Sequence, residues 1–270
     1  MLTWPRACKH CSPIQCVYCL LSTMRAAAWF AAVLVLAALP ARAADTDLAL
    51  VMAIDVSGSI DPGEYRLQHE GIARAFETPA VLTAIAGGPQ RAIDVTVIEW
   101  SDRDKQVVIA PWTRVFDKTS GEAFATQVRA AHRTSDGLTS IGDALLAAAA
   151  AFMTLNDHPA RRVIDLSGDG IANIGPKPGD VRDVLVAQGI TINGLAILRN
   201  EPWLSSYYDQ NVVGGRGSFL LDVQGYKSFA QGMQEKLINE IAGRTLPLNR
   251  FGRAQDPAES APARTFAQMQ

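Results

Sequence analysis

The chain has 270 residues, of which 48% are hydrophobic and 19% are charged, and its formal net charge is −2. This composition is typical of a globular protein that can bury a core, and the length allows one large domain or two small ones. Because the chain is almost neutral and its basic residues are scattered, composition gives no electrostatic case for binding nucleic acid or an anionic membrane surface.

All four cysteines lie near the amino terminus, as Cys8, Cys11, Cys16 and Cys19. Two C-x-x-C pairs can indicate a zinc site, but only four residues separate these pairs. Zinc ribbons and similar folds use a spacer of about 12 to 20 residues to turn the chain. The spacing therefore argues against zinc.

The segment that follows the cysteines has the layout of a secretory signal. A positive start at Arg25 precedes an apolar run over residues 26–39, and an A-x-A cleavage pattern stands at residues 41–43. The run has 14 residues, fewer than the roughly 17 to 25 that span a bilayer. We predict an over-extended start over residues 1–23, a signal peptide over 24–43, and a cysteine-free mature chain, periplasmic or secreted, from near Ala44.

The mature chain alternates between strand and helix patterns. The apolar run Leu48–Ile54 is typical of a strand buried in the middle of a parallel sheet. The patterns that follow predict a helix from Pro62, strands over 92–100 and 105–110, a helix over 119–132 that starts with a capping box at Thr119, a helix from Ser140, a strand over 161–166, a short helix stopped at Gly189, a strand over 190–198, an irregular aromatic segment over 203–208, an edge strand over 218–223 and a helix over 229–241.

These elements predict one α/β domain over residues 44–243, with a doubly wound, mostly parallel sheet and helices on both faces. Only the polar residues 101–104 link two of the strands, which favours a hairpin and thus one antiparallel edge strand. Residues 244–270 are polar and aperiodic, and we predict a disordered tail there.

Three oxygen-bearing side chains follow the first strand at alternate positions, Asp55, Ser57 and Ser59. The loop that leaves the carboxyl end of a central parallel strand is where open α/β sheets place their ligand sites. One carboxylate and two hydroxyls favour a hard cation such as Mg²⁺ over zinc. In the alternative interpretation, these side chains only cap the helix that begins near Pro62.

This D-x-S-G-S sequence after an apolar strand resembles the von Willebrand factor A domain and its metal-ion-dependent adhesion site. That family adds a threonine from a second loop and an aspartate from a third, and Thr139 in GLTSIG and Asp169 in VIDLSGDG match those places. Two departures are that Gly168 stands where many members have threonine and that GLTSIG replaces the common GGTSIG. The similarity covers about residues 47 to 242, and the segments EWSD, SGDG and INGLAIL resemble an uncharacterised group of secreted bacterial proteins with this domain.

The resemblance implies a Rossmann-like von Willebrand factor A fold in which five side chains hold one divalent cation, Mg²⁺ or alternatively Mn²⁺ or Ca²⁺. These side chains are Asp55, Ser57, Ser59, Thr139 and Asp169. A cation held in this way keeps a water-occupied position that an Asp or Glu of a protein partner can take. We therefore expect an exported module for adhesion or assembly that is not an enzyme, and no stable membrane span after signal cleavage.

The rival interpretation is a metal-dependent hydrolase or phosphatase-like enzyme with Asp55 as its nucleophile. The phosphatase motif D-x-D is missing, because Ser57 stands in the place of the second aspartate. The chain also has no G-x-S-x-G and no H-E-x-x-H motif, the usual signs of a serine hydrolase and a zinc protease. A binding module is therefore favoured.

The remaining polar and aromatic candidates are assigned structural roles. We expect Asp165 to make a hydrogen bond inside the fold, since a buried carboxylate requires partners, and Asp143 to cap a helix. Asp102 and Asp104 are expected to be solvated on a polar turn. The aromatic residues Trp203, Tyr207 and Tyr208 are expected to pack their loop down rather than to form a recognition surface.

Overall fold

The computed structural model describes residues 44–199 and 201–243. The predicted start, signal peptide and tail lie outside these residues. The described elements are β1 (Leu48–Asp55), α1 (Pro62–Glu77), α2 (Pro79–Ala86), β2 (Ile93–Trp100), β3 (Gln106–Val115), α3 (Lys118–Ala130), α4 (Ile141–Ala151), β4 (Arg162–Gly168), α5 (Pro178–Ala187), β5 (Ile190–Ile197), α6 (Trp203–Asn211), β6 (Leu220–Val223) and α7 (Phe229–Ile241), with 3₁₀ turns at Phe152–Thr154 and Tyr226–Ser228. Among them, no helix has the length and apolar character needed to cross a membrane.

The six strands form one sheet in the order β3-β2-β1-β4-β5-β6. The β2–β3 pair is antiparallel and every other pair is parallel, which confirms the predicted antiparallel edge. β1 lies between β2 and β4, so the strands after β1 are added first on one side of it and, from β4 onwards, on the other side. In open α/β sheets, this switch point leaves a crevice at the carboxyl ends of the strands.

Strand β1 is the centre of the fold, and all eight of its residues are buried. Alternate side chains enter two separate cores, because successive residues of a strand point to opposite faces. Leu48, Leu50, Met52 and Ile54 pack with α1, α3 and α7 on one face. Ala49, Val51 and Ala53 pack with α4, α5 and α6 on the other face. Helices therefore cover both faces, as the sequence predicts.

Two local predictions are wrong. Residues 203–208 are not irregular but belong to α6, because Leu204 and Tyr208, one helical turn apart, are both completely buried. The capping box of α3 begins at Asp117 rather than Thr119. The Asp117 carboxylate accepts a hydrogen bond from the Ser120 backbone amide at 2.8 Å, and the Asp117 backbone amide donates in return to the Ser120 hydroxyl oxygen at 3.0 Å.

Strand β3 also continues five residues past the predicted end at Ala110. The strand includes Pro111, although proline cannot donate to a strand ladder. β3 lies at the edge of the sheet, where one side of the strand needs no hydrogen-bonding partner. The proline is therefore compatible with a longer strand.

Candidate metal centre

The first loop of the candidate centre leaves the sheet at Asp55, the last residue of β1, whose side chain is completely buried. Its Oδ1 accepts a hydrogen bond from the Ser57 amide at 2.8 Å, so the aspartate folds the loop back on itself. This turn places the Ser57 and Ser59 hydroxyl oxygens 3.2 Å apart. Three oxygen-bearing groups therefore converge at the carboxyl end of the central strand.

The third loop begins next to the first one, because β4 pairs with β1 in parallel. Asp169 is the residue directly after β4, and its side chain is 1% exposed. Its Oδ1 accepts a hydrogen bond from the Ser59 hydroxyl at 2.8 Å. The two aspartates predicted as ligands thus lie in adjacent loops that share a direct contact.

The second loop, which carries Thr139, is tied to both of the others. The Gly58 amide donates to the Gly137 carbonyl at 2.8 Å, which joins the second loop to the first. Two hydrogen bonds join Thr139 and Asn173. The Thr139 backbone amide donates to the Asn173 side-chain Oδ1 at 2.9 Å, and the Asn173 backbone amide donates to the Thr139 carbonyl at 3.0 Å. The structure therefore gathers all five predicted ligands on three interlocked loops.

The electrostatics of these loops favour a positive charge between them. Burial, together with repulsion from the Asp169 carboxylate, raises the pKa of Asp55 to about 7. The Asp55 Oδ2 atom is buried and has no hydrogen-bond partner within the described residues. An unpaired buried carboxylate oxygen is costly, and a hard cation with oxygen ligands would remove that cost. The residues present therefore fit a divalent cation.

The donor set also distinguishes this centre from histidine and cysteine sites. Within the part of the chain that the structure describes, no three His, Cys, Asp or Glu side chains cluster in a way that could hold a metal ion. Here two carboxylates would balance the charge while hydroxyls supply further lone pairs. Such a set suits Mg²⁺, Mn²⁺ or Ca²⁺ better than softer metals.

A family model described as Protein of unknown function (DUF1194) matches residues 45–245. The chain belongs to this family. No curated protein matches the chain.

Solved structures with the same fold include proximal thread matrix protein 1 from the mussel byssus with a zinc-occupied MIDAS motif (16% identity, TM-score 0.54, covering 74% of this chain and 49% of that chain). They also include a von Willebrand factor type A protein from Catenulispora acidiphila (18%, 0.50, 73% and 43%) and the pilus adhesin SpaC from Lactobacillus rhamnosus GG (11%, 0.52, 73% and 31%). The chain spans less than half the length of each. At these identities the likeness shows the fold, which is that of the von Willebrand factor A domain.

This DUF1194 member has Gly168 where many von Willebrand factor A domains have threonine. The Tyr208 hydroxyl lies next to this glycine. The Tyr208 side chain is completely buried, and burial together with the nearby Asp55 carboxylate raises the pKa of its hydroxyl. That hydroxyl has no hydrogen-bond partner in the described part of the chain. Tyr208 therefore packs under the centre, as expected of it, and leaves a polar atom beside the aspartate. The same expectation is wrong for Trp203, whose side chain is 51% exposed.

Sequence reasoning missed two arginines at the centre. Arg133 donates to the carbonyls of Val56 and Ser57 at 2.7 and 2.8 Å and to that of Ile60 at 2.8 Å. Arg199 lies with its Nε 3.0 Å from Asp169 Oδ2. Arg199 follows β5, so the strand-end rule that identified both aspartates could also have identified this arginine. Arg133 lies in a loop whose pattern gave no signal.

The other assigned polar residues lie away from the five candidate ligands or bond elsewhere. Asp165 is buried and structural, as expected, but its contact is an ion pair with the Lys236 ammonium at 2.6 Å rather than the expected hydrogen bond, which neither of its carboxylate oxygens makes within the described residues. The capping role expected of Asp143 is wrong, because the start of α4 has no side-chain capping bond and the Asp143 carboxylate instead accepts a hydrogen bond from the Ser140 hydroxyl at 2.6 Å. The expectation for Asp102 is wrong, because its carboxylate is half-buried and accepts a hydrogen bond from the Leu138 amide at 3.4 Å. Asp104 is exposed.

Proposed function

We propose that this protein is an exported, divalent-metal-dependent binding module that recognises an acidic group on a protein partner. The observation that carries the proposal is the buried, unpartnered Oδ2 of Asp55, next to the second carboxylate of Asp169 and three hydroxyl-bearing residues. When bound, Mg²⁺ or Mn²⁺ would supply a Lewis-acidic site with a replaceable water. The carboxylate of a partner Asp or Glu is the ligand that suits such a position.

The surface around the centre suits a protein partner. Three large apolar side chains near these loops are exposed, Leu138 by 45%, Ile171 by 41% and Trp203 by 51%. Leu138 precedes Thr139, and Ile171 follows Asp169 by two residues. Trp203 opens α6, which is tied to the third loop because the Tyr207 hydroxyl accepts a hydrogen bond from the Ala172 amide. Apolar and aromatic groups beside a polar contact are typical of protein interfaces.

Two further observations support the proposal. The signal-like segment before residue 44 supports export. A mussel protein of the same fold has a structure with zinc in its MIDAS motif, which shows that this fold can hold a metal. The rival hydrolase would need Asp55 to attack a substrate, and the complete burial of that side chain argues against a nucleophile there.

Metal binding is tested by thermal unfolding with added Mg²⁺ or Mn²⁺. A ligand that binds only the native state contributes about 2.7 kcal/mol at a hundred times its dissociation constant, so the melting temperature should rise with metal. Asp55→Asn and Thr139→Ala should abolish the rise. Asp143→Asn is the matched control, since its carboxylate contacts Ser140 and Arg103 rather than a candidate ligand, and it should respond like the wild type. A metal response that survives in Asp55→Asn would refute the ligand assignment.

Partner recognition is tested separately, by capture from a periplasmic extract on the immobilised chain. Capture should disappear in EDTA, return with Mg²⁺ or Mn²⁺, and be lost in Thr139→Ala. The identified partner is then tested with its own Asp and Glu residues replaced by Asn and Gln. Capture that needs no metal, or that no partner carboxylate affects, contradicts the proposal.

A further inference from the structure

Arg199 brings a fixed positive charge to the candidate metal centre. It follows β5, the sheet neighbour of β4, so the topology places it beside the loop that carries Asp169. Its Nε lies 3.0 Å from Asp169 Oδ2, and its Nη2 donates to the Ser59 carbonyl at 3.1 Å. The guanidinium therefore contacts two of the five residues that would hold the cation.

The backbone at Arg199 is itself unusual, with a φ of +50°. A residue other than glycine rarely adopts this left-handed conformation unless the surrounding structure requires it. Here the guanidinium has several partners at once. It pairs with the Glu64 carboxylate, and its Cζ lies 5.5 Å from the centre of the Tyr226 ring. These contacts hold the arginine at the rim of the centre.

The guanidinium and a divalent cation would use the same carboxylate. Asp169 is buried at this point while Arg199 is 37% exposed, so the pair lies where water screens charges only in part. A divalent cation bound by Asp169 would be close to the positively charged Arg199 guanidinium. Repulsion between two positive charges is strong at short range in a partly buried site. Glu64 and the Tyr226 ring can keep the arginine at the rim after it releases Asp169.

We propose that Arg199 is a built-in competitor for the metal, and that exchange of Asp169 between the guanidinium and the cation sets the metal affinity of the centre. This inference rests on the proposed metal binding. The arginine, and not the five ligands alone, would then determine how tightly the centre holds a cation. Removal of the positive charge should therefore strengthen metal binding, although it removes a stabilising contact.

The test measures the dissociation constant for Mn²⁺ by calorimetry in the wild type, Arg199→Gln and Arg199→Met. Loss of one close positive charge should lower this constant by about tenfold or more in both variants. Arg66→Gln is the matched control: Arg66 is an exposed arginine two residues after Glu64 on α1, and within the described residues no hydrogen bond or ion pair joins it to a candidate ligand. Its dissociation constant should stay within about twofold of the wild type.

Thermal unfolding in EDTA separates competition from a merely structural role. Arg199→Gln should melt below the wild type without metal, because Asp169 loses its positively charged partner, and should gain more than the wild type when Mn²⁺ is added. Equal affinity in wild type and variant, or weaker affinity in the variant, overturns the inference while metal binding itself stands. If neither protein binds Mn²⁺ at millimolar concentration, the proposed function fails and the inference fails with it.

Discussion

At the carboxyl end of β4, the hydroxyl of Tyr208 occupies the space that a side chain at Gly168 would need. A Cβ at residue 168 would lie 2.5 Å from that hydroxyl oxygen and 3.0 Å from Asp55 Oδ2. The 2.5 Å distance would force the hydroxyl to move, and the 3.0 Å distance is shorter than an ordinary van der Waals contact. The threonine found here in many von Willebrand factor A domains is therefore incompatible with the present position of Tyr208, and α6 fills the space under the centre instead.

The first prediction tests this exchange of space by thermodynamic coupling. Gly168→Ala should destabilise the protein by about 1–3 kcal/mol, the usual cost of overpacking, and Tyr208→Phe should restore part of the loss in the double variant. Tyr208→Phe alone should cost little, because it removes a hydroxyl without a partner. Urea unfolding of the four proteins gives the coupling energy.

Gly170→Ala is the control, because a Cβ there would meet no atom within 4 Å. Its stability should lie within about 0.5 kcal/mol of the wild type. Additive losses in the double variant would show that Gly168 is required for a reason other than Tyr208.

The second prediction concerns the buried charges between β4, β5 and α7. Lys236 is completely buried and contacts both Asp165 and Glu240, so two carboxyls share one ammonium. Burial and repulsion by Asp165 raise the pKa of Glu240 to about 7. With Glu240 protonated, the cluster is neutral, while Asn193 Nδ2 still donates to Glu240 Oε1 at 2.9 Å.

The sign of the pH effect follows from this raised pKa. Between about pH 4.5 and 7, the native state keeps a proton on Glu240 that the unfolded chain loses, so stability falls as the pH rises through this range. Glu240→Gln keeps the Oε1 acceptor and cannot ionise. It should match the wild type near pH 5 and exceed it by up to about 3 kcal/mol at pH 8.

Urea unfolding from pH 5 to pH 8 measures the difference, and Glu201→Gln, at an exposed position, serves as the control that should parallel the wild type. A Glu240→Gln curve parallel to that of the wild type would mean that Glu240 is ionised throughout the range.

The central strand and both aspartates of the candidate centre could be predicted because their signals are local. An unbroken apolar run specifies β1, and the end of such a run specifies where Asp55 and Asp169 emerge. The same rule applied to Ile190–Ile197 would have given Arg199. The helix α6 could not be predicted in this way, because the burial of Tyr208 depends on a glycine 40 positions earlier in the sequence. The loop contacts of Arg133 likewise join segments that only the complete fold brings together.

The last prediction is that Arg133 holds the first loop in the shape that the centre requires. Its guanidinium donates to the carbonyls of Val56, Ser57 and Ile60 and, through Nε, to that of Ser135 at 2.9 Å. A planar guanidinium can serve these four acceptors at once, whereas a lysine ammonium has three donors at a single point. Arg133→Lys therefore keeps the positive charge but loses most of these hydrogen bonds.

We expect Arg133→Lys to accelerate hydrogen exchange over residues 56–60, with Gly58 as the main reporter because its amide bonds to the Gly137 carbonyl. Exchange in β1 should change much less, because its ladder does not depend on the arginine. The affinity for Mn²⁺ should fall by about tenfold, since the hydroxyls of the loop would no longer be held in place. Mass spectrometry of peptides from both segments, with calorimetry on the same samples, measures these effects.

Arg129→Lys is the matched control, because Arg129 also makes several hydrogen bonds, but to the surface carboxylates of Glu70 and Glu77. It should leave both the exchange of residues 56–60 and the Mn²⁺ affinity unchanged. If the two variants alter loop exchange and metal affinity equally, the effect is a general loss of stability, and Arg133 does not specifically hold the first loop in shape. If only Arg133→Lys loosens the loop while Mn²⁺ affinity stays constant, the loop is held by Arg133 but its hydroxyls do not bind the metal.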